Sequence, residues 1–241
     1  MYFSVITPEK SLLRQAAHDL AQASYAEHQW LWKFFPSNRD QTRDFIFRRH
    51  EHEQTQRFYL VSHRPPTAFS EAWQVQSRGY DPQVREGQRF SFQLRANPVI
   101  TQKNAAGKPQ RHDVVMQAKK QLLAERGLSK DAKWSDWNGD DNKPLLYELV
   151  TMRCGLWLDG VAGRNGFEIA PLDADGADRK LQIDSYEQNK TSKGDHAVRL
   201  TTVDFSGELV VTSTALFQQA LFNGIGHAKA FGCGLLLVKR V

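Results

Sequence analysis

The sequence predicts an α+β protein built from two successive units of the βαββαβ type. Three observations carry that prediction. The chain has 241 residues, more than one domain of about 100–150 residues needs. Its 40% hydrophobic and 11% aromatic content supplies a real core and excludes a largely disordered chain. The elements read along it begin β, α, β, β and close on strands around further helices.

The elements follow in order. Met1–Ile6 is a short opening strand. Ser11–Gln22 has helix-forming composition, with Leu12, Ala16 and Leu20 at i, i+4 and i+8. Ser24-Tyr25-Ala26-Glu27 matches a capping box, which predicts a second helix over Tyr25–Phe35, stopped by Pro36. Phe45-Ile46-Phe47 and Phe58-Tyr59-Leu60-Val61 are strand cores joined by a polar connection rich in His and Glu. Glu71–Arg78 and Arg89–Gln102 are further strands, the second containing Leu94-Arg95-Ala96-Asn97-Pro98. Asn104–Lys108 is a turn, and Val114–Arg126 a helix ending at Gly127. Trp134–Asn142 and Asp173–Lys180 read as loops. Two strand-like runs between Leu181 and Val211 flank a turn at Asn189–Asp195. Ala215–Phe222 is a short helix, then a glycine-rich stretch leads into a strand at Leu235–Val238. Two ferredoxin-like domains in tandem, 1–88 and 89–241, fit this order and length.

Charge is unevenly placed. Residues 1–135 carry 21 basic and 13 acidic side chains, a net of +8, and residues 136–241 carry 11 and 14, a net of −3. A basic first half points to a polyanion partner or to a lysine- and arginine-rich solvated surface. No apolar run approaches the roughly 20 residues that span a bilayer. The short opening strand lacks a basic n-region, so it does not read as a signal peptide. Cys154 and Cys233 lie far apart and belong to no CxxC or Cys/His quartet, so neither a disulfide framework nor a zinc site is expected. The expectation is a soluble cytoplasmic protein with inert thiols, no cofactor and no metal.

Several groups are candidates for chemistry. Tyr25 and His28 sit at i and i+3 on one face of the second predicted helix, with Lys33 near its end. Such a trio can move a proton and stabilise developing phosphate charge; equally, the aromatics can be core and His28 a polar neighbour at the helix edge. His50 and His52 flank Glu51 on one strand face, but no third ligand has recognisable spacing, so a solvated hairpin tip is the simpler reading. Gly224, Gly226, Gly232 and Gly234, with Lys229 among them, let backbone N–H groups approach phosphates, or simply permit a tight turn. The stretch fits neither the Rossmann nor the Walker spacing. Arg95, Lys103, Lys108 and Arg111 lie around one strand–turn–strand, and Lys190 and Lys193 decorate another turn. Basic hairpin tips suit a phosphate backbone, though each also reads as a solvated loop.

Three segments together resemble one family. Tyr25-x-x-His28-x-x-Leu31, Leu94-Arg95-Ala96-Asn97-Pro98, and Gly224-Ile225-Gly226-x-Ala228-Lys229-x-x-Gly232-Cys233-Gly234-Leu235-Leu236 occur in order. They are similar to CasE, the CRISPR RNA-processing endoribonuclease of the type I-E Cascade complex. The resemblance covers most of the chain and is weakest over 134–164. It implies tandem ferredoxin-like domains and metal-independent cleavage of precursor repeat RNA at the base of a hairpin. It also implies retention on the hairpin of the mature guide RNA, beside other Cascade subunits. By position, His28 is the catalytic histidine and Tyr25 its partner, and Lys33 falls where some members carry a lysine. The glycine stretch matches the family's glycine-rich loop. Lys190 and Lys193 sit where relatives have a more basic hairpin that engages the stem. The 2′-OH of RNA is a built-in nucleophile, so positioning supplies much of the rate, and the products carry a 2′,3′-cyclic phosphate and a 5′-OH. His28 can take the 2′-OH proton or protonate the leaving oxygen. The rival expectation is a hairpin-binding scaffold that does not cut.

Overall fold

A computed structural model describes residues 1–21, 27–36, 43–52, 55–104, 106–138, 142–173, 178–193 and 196–241, without the side chains of 52, 190–193 and 196–199. Its first sheet contains β1 (Tyr2–Pro8), β2 (Phe45–His52), β3 (Thr55–Ser62) and β4 (Trp73–Gly79). All pair antiparallel in the order β2-β3-β1-β4, which is the ferredoxin-like order. Two helices, α1 (Leu13–Ala21) and α2 (Glu27–Trp32), cover one face. Strand alternation decides what each face does. Phe45, Phe47, Phe58 and Leu60 point into a core with Trp30, Leu31, Phe34 and Trp73. Ile46 and Val61 point to the opposite face.

The first unit departs from expectation in two places. Residues 63–72, where the second crossover helix of the motif belongs, contain no helix. Pro65 and Pro66 withhold backbone donors there, and Phe69 fills the space by packing edge-on against Trp30 and Phe34, with ring centroids 6.2 and 4.8 Å away. The His/Glu-rich stretch is not a loose connection either. β2 runs through His50, which pairs with Arg57 of β3, because cross-strand hydrogen bonds extend a strand past its apolar part.

The second sheet has the order β11-β5-β10-β8, from β5 (Arg89–Ala96), β8 (Phe167–Ile169), β10 (His196–Val211) and β11 (Leu236–Arg240). A further strand, β9 (Leu181–Lys193), pairs with the first part of β10 while β8 pairs with its end. This is again the ferredoxin-like order, with an interrupted second strand. The helices α4 (Leu146–Arg164) and α5 (Thr214–Asn223) are its crossovers. Between β5 and α4 come the hairpin β6 (Val99–Lys103) and β7 (Pro109–Asp113), then α3 (Val114–Glu125). Asp113 starts α3 by accepting from the Met116 N–H at 2.7 Å.

The stretch 134–164, where the resemblance is weakest, holds a helix that the segment reading did not identify. α4 is the longest helix described, and Leu149, Val150, Cys154, Leu158, Val161 and Ala162 are buried in the second core. The predicted turn at Asn189–Asp195 narrows as well: Lys190 pairs with Arg199 and Lys193 with His196, within β9 and β10. The long strand Arg89–Gln102 breaks at Asn97-Pro98 into β5 and β6. No described helix is long and apolar enough to cross a membrane.

The two units meet along two patches. One is an apolar cluster of Ile46, Val61 and Leu235 with Phe3, Tyr59, Tyr80 and Phe222 around it. The other is polar, around Arg48 of β2 and Asp204 of β10, and opens into a cleft of about 1250 Å³ between the sheets.

Candidate functional site

α2 carries His28 and is seated from two sides. Trp30 is buried among Phe34, Phe58 and Trp73, with ring centroids 4.9, 5.0 and 4.6 Å away. Glu27, in the first turn, accepts a 2.6 Å bond from Arg49 of β2. His28 is half-buried on the helix between these anchors. Tyr25 and Ser24 of the expected capping box lie outside the described residues. Lys33 is exposed, its amine 5.4 Å above the Phe69 ring. It stands five residues on from His28, about 140° round at 100° per residue.

The glycine-rich loop follows α5. Gly224, Gly226, Gly232 and Gly234 all have positive φ, between 72° and 95°. At two of them space as well as φ demands glycine. A Cβ on Gly234 would stand 2.6 Å from the Ile225 carbonyl oxygen, and one on Gly224 2.9 Å from that of Gly234. The loop closes through Ile225 N–H to Gly234 O at 2.8 Å, and is fastened to β5 by Gly234 N–H to Arg95 O at 2.7 Å. Its middle, Lys229–Phe231, forms a short 3-10 turn that packs against α2 and β2. The loop of the second unit thus adjoins the helix that bears His28 in the first.

Cations converge there. Partial burial, then the charge of Arg43, lowers the pKa of Lys229. Burial, then Arg111 and Lys229, lowers that of His227, which favours a neutral imidazole at neutral pH. Arg43 leads into β2 and Arg111 belongs to β7, so both units and the β6–β7 hairpin send positive groups to one loop. Lys103 and Lys108 stand exposed further out on that hairpin. Its turn is organised by Asn104 Oδ1, which accepts from the Lys108 N–H at 2.9 Å. Such a cluster of positive groups has the chemistry that suits phosphate contacts.

The structure brings Lys229 and Arg111 to the glycine loop and packs α2, the helix that carries His28, against it; Arg95 borders the loop through its backbone and turns its side chain to Asp204. Its guanidinium donates to both oxygens of Asp204, at 2.9 and 2.6 Å, and Arg48 reaches the same carboxylate at 3.2 Å. Ser185 adds a fourth bond at 2.9 Å. Burial alone would raise the Asp204 pKa, but the Arg95 hydrogen bonds and the charges of Arg95 and Arg48 outweigh it and hold it below the usual carboxylate range. Lys190 and Lys193 are placed only by their backbone in β9. Among the described residues, no group of three or more His, Cys, Asp or Glu is arranged to hold a metal ion.

A family model described as CRISPR associated protein matches residues 1–240. The chain belongs to the CasE family of CRISPR-associated proteins. Among CasE relatives, the Escherichia coli (strain K12) CRISPR system Cascade subunit CasE is 24% identical over 217 residues, covering 88% of this chain and 89% of that protein. Thermus thermophilus Cse3, solved with an RNA representing a pre-cleavage complex, is 20% identical with a TM-score of 0.63, over 99% of this chain and 98% of that one. Cas6e from Escherichia coli K-12 gives 21% and 0.56, over the whole of both chains. The whole length of this CasE-family chain therefore shares the tandem ferredoxin-like fold.

Sequence reasoning passed over Arg43, His227, Arg48 and Asp204. His227 stood in plain view inside the glycine motif. Arg48 had one signal: it follows Phe45-Ile46-Phe47 on the face away from the helices, where a buried charge needs a partner. Nothing local marks Asp204, which lies 156 residues from Arg48.

Proposed function

We propose that this CasE-family protein is a metal-independent endoribonuclease that cuts CRISPR repeat RNA at the base of a hairpin and stays on the mature guide RNA as a Cascade subunit. One observation carries the reading: the helix bearing His28 packs against a glycine-rich loop where Lys229, Arg43 and Arg111 gather positive charge around His227. The names of its relatives support it, one being a Cascade subunit and another the CRISPR endoribonuclease Cse3 bound to a 19-nucleotide RNA.

The chemistry follows from the RNA. The 2′-oxygen attacks phosphorus, the P–O5′ bond breaks, and the products carry a 2′,3′-cyclic phosphate and a 5′-OH. One proton leaves the 2′-OH and one reaches the 5′-oxygen, and His28 serves one of these transfers. Tyr25 orients the ribose or phosphate or serves the other transfer, and Lys33 and Lys229 offset the charge that builds on the phosphorane oxygens. The glycine loop lets backbone approach the phosphate closely. Lys103, Lys108 and Arg111 on the β6–β7 hairpin, with Lys190 and Lys193 of β9, hold the stem through its backbone. Tight product binding makes the enzyme single-turnover.

The test is cleavage of the cognate repeat RNA in EDTA, with wild type beside His28→Ala. Wild type is expected to cut in EDTA, and the variant to bind the hairpin with unchanged affinity while cutting at least a hundredfold more slowly. Equal cleavage by the variant, or an absolute need for divalent metal, overturns the mechanism. Tight, salt-dependent binding by a wild type that leaves the RNA intact establishes the scaffold instead.

A further inference from the structure

A continuous set of contacts runs from the His28 helix to the glycine loop, and a buried ion triad is its middle. Glu27 of α2 is bonded to Arg49 of β2 at 2.6 Å. The next residue back, Arg48, points to the opposite face and reaches Asp204 of the second unit at 3.2 Å. Asp204 is gripped on both oxygens by Arg95, whose own carbonyl holds the Gly234 N–H at 2.7 Å. Three consecutive β2 residues thus have distinct partners: Phe47 lies beside Gly232, Arg48 meets Asp204, and Arg49 meets Glu27.

We propose that Arg48, Asp204 and Arg95 are positioning residues that fix α2 and its His28 relative to the glycine loop, a role that rests on the endoribonuclease reading. The apolar patch beside them holds the units together, but apolar contacts are non-directional and tolerate a slide. A carboxylate shared by two guanidiniums does not. The Arg48 and Asp204 side chains are 7% and 12% exposed, so the bond between them is shielded from water, and the paired bonds from Arg95 orient the carboxylate. Such a triad is a costly way to gain stability, since well-packed apolar residues of similar volume often do as well. What it adds is register between the two sheets, and in-line attack depends on register at the ångström scale.

Arg48→Met is the informative variant, because it removes one arm and leaves Asp204 paired with Arg95. The rate constant for single-turnover cleavage at saturating protein is expected to fall at least tenfold, while hairpin affinity stays within twofold. Arg48→Lys is expected to recover part of the rate. A merely structural loss would lower binding and rate together with stability. A second measurement needs no cleavage: spin labels on Gln29→Cys and Asn223→Cys report the spacing of α2 and the base of the loop. The native Cys154 and Cys233 are buried and do not compete. Arg48→Met is expected to broaden or shift that distance distribution by several ångströms. An unchanged distribution, or a cleavage rate equal to wild type, overturns the proposal. If wild type itself leaves the RNA intact, the endoribonuclease reading fails and the distance measurement alone decides the lock.

Discussion

The two ferredoxin-like units share a strand order and differ on their helix side. The second has both crossovers, α4 and α5, over a broad aliphatic and aromatic core. The first has a six-residue α2 and a helix-free return between β3 and β4, and compensates with a knot of Trp30, Phe34, Phe58, Phe69 and Trp73. The difference teaches a division of labour. On the proposed function, the smaller unit presents the proton-transfer side chain on a short helix, while the fuller unit supports the loop and hairpin proposed to face phosphates.

The largest break in that comparison is expected from Trp30→Ala, which removes the centre of the first knot. Its cost is about 3–5 kcal/mol, read by denaturant unfolding, and cleavage is lost with the seat of α2. Phe217→Ala, buried in the second core, is the matched control and costs a similar amount while weakening hairpin affinity more. Next comes a pair inside the glycine loop. Gly234→Ala meets both a φ of 95° and a carbonyl at 2.6 Å, and is expected to cost about 1–3 kcal/mol. Gly226→Ala meets only the φ of 73°, its nearest neighbour being Trp157 at 3.8 Å, and is expected to cost about 1 kcal/mol. Equal losses would show that crowding around Gly234 is relieved by backbone movement.

Acid sharpens the comparison at the seam. Asp204 has a folded-state pKa held below its unfolded value, so its contribution is fully present above about pH 4, near the unfolded carboxylate value. It is lost as pH falls through the lower folded value. The stability gap between wild type and Asp204→Asn is therefore expected to be flat from neutral pH to about pH 5 and to close only in stronger acid. A gap that changes between pH 6 and 7 would assign the dependence to another group. The smallest expected effect is on the rim: replacing Lys108 and Arg111 by Ala lowers the slope of log affinity against log salt by about 1–2, with little change in melting temperature.

Elements with a clear period or punctuation were legible in the sequence. β1, α1, the Phe45 and Phe58 strands, α3 with Gly127 behind it, and α5 running into the glycine loop all stand where their patterns put them. α4 escaped because it shows no clean apolar stripe: exposed Leu146, Met152 and Leu156 accompany the buried Leu149, Leu158 and Val161, and Gly155, Gly160 and Gly163 interrupt the helical signal. β8 has only three residues, too few for any period. Asn189–Asp195 has turn composition, yet pairing with β10 carries the strand through much of it. Of the site, the histidine and the glycines were visible as motifs. Arg95 was visible as a charge but its ion pair was not, because the partner lies 109 residues away.

The six described residues of α2 are well short of the roughly 12–15 at which an isolated helix becomes even marginal in water. α2 therefore cannot exist ahead of its surroundings during synthesis or refolding. Its seat is supplied by Arg49, Phe58 and Trp73, all later in the chain. A nascent or unfolded chain carries His28 with no geometry around it, so on the proposed function ribonuclease competence arises only when the first sheet closes. On that reading, folding order acts as a safeguard against stray RNA cleavage.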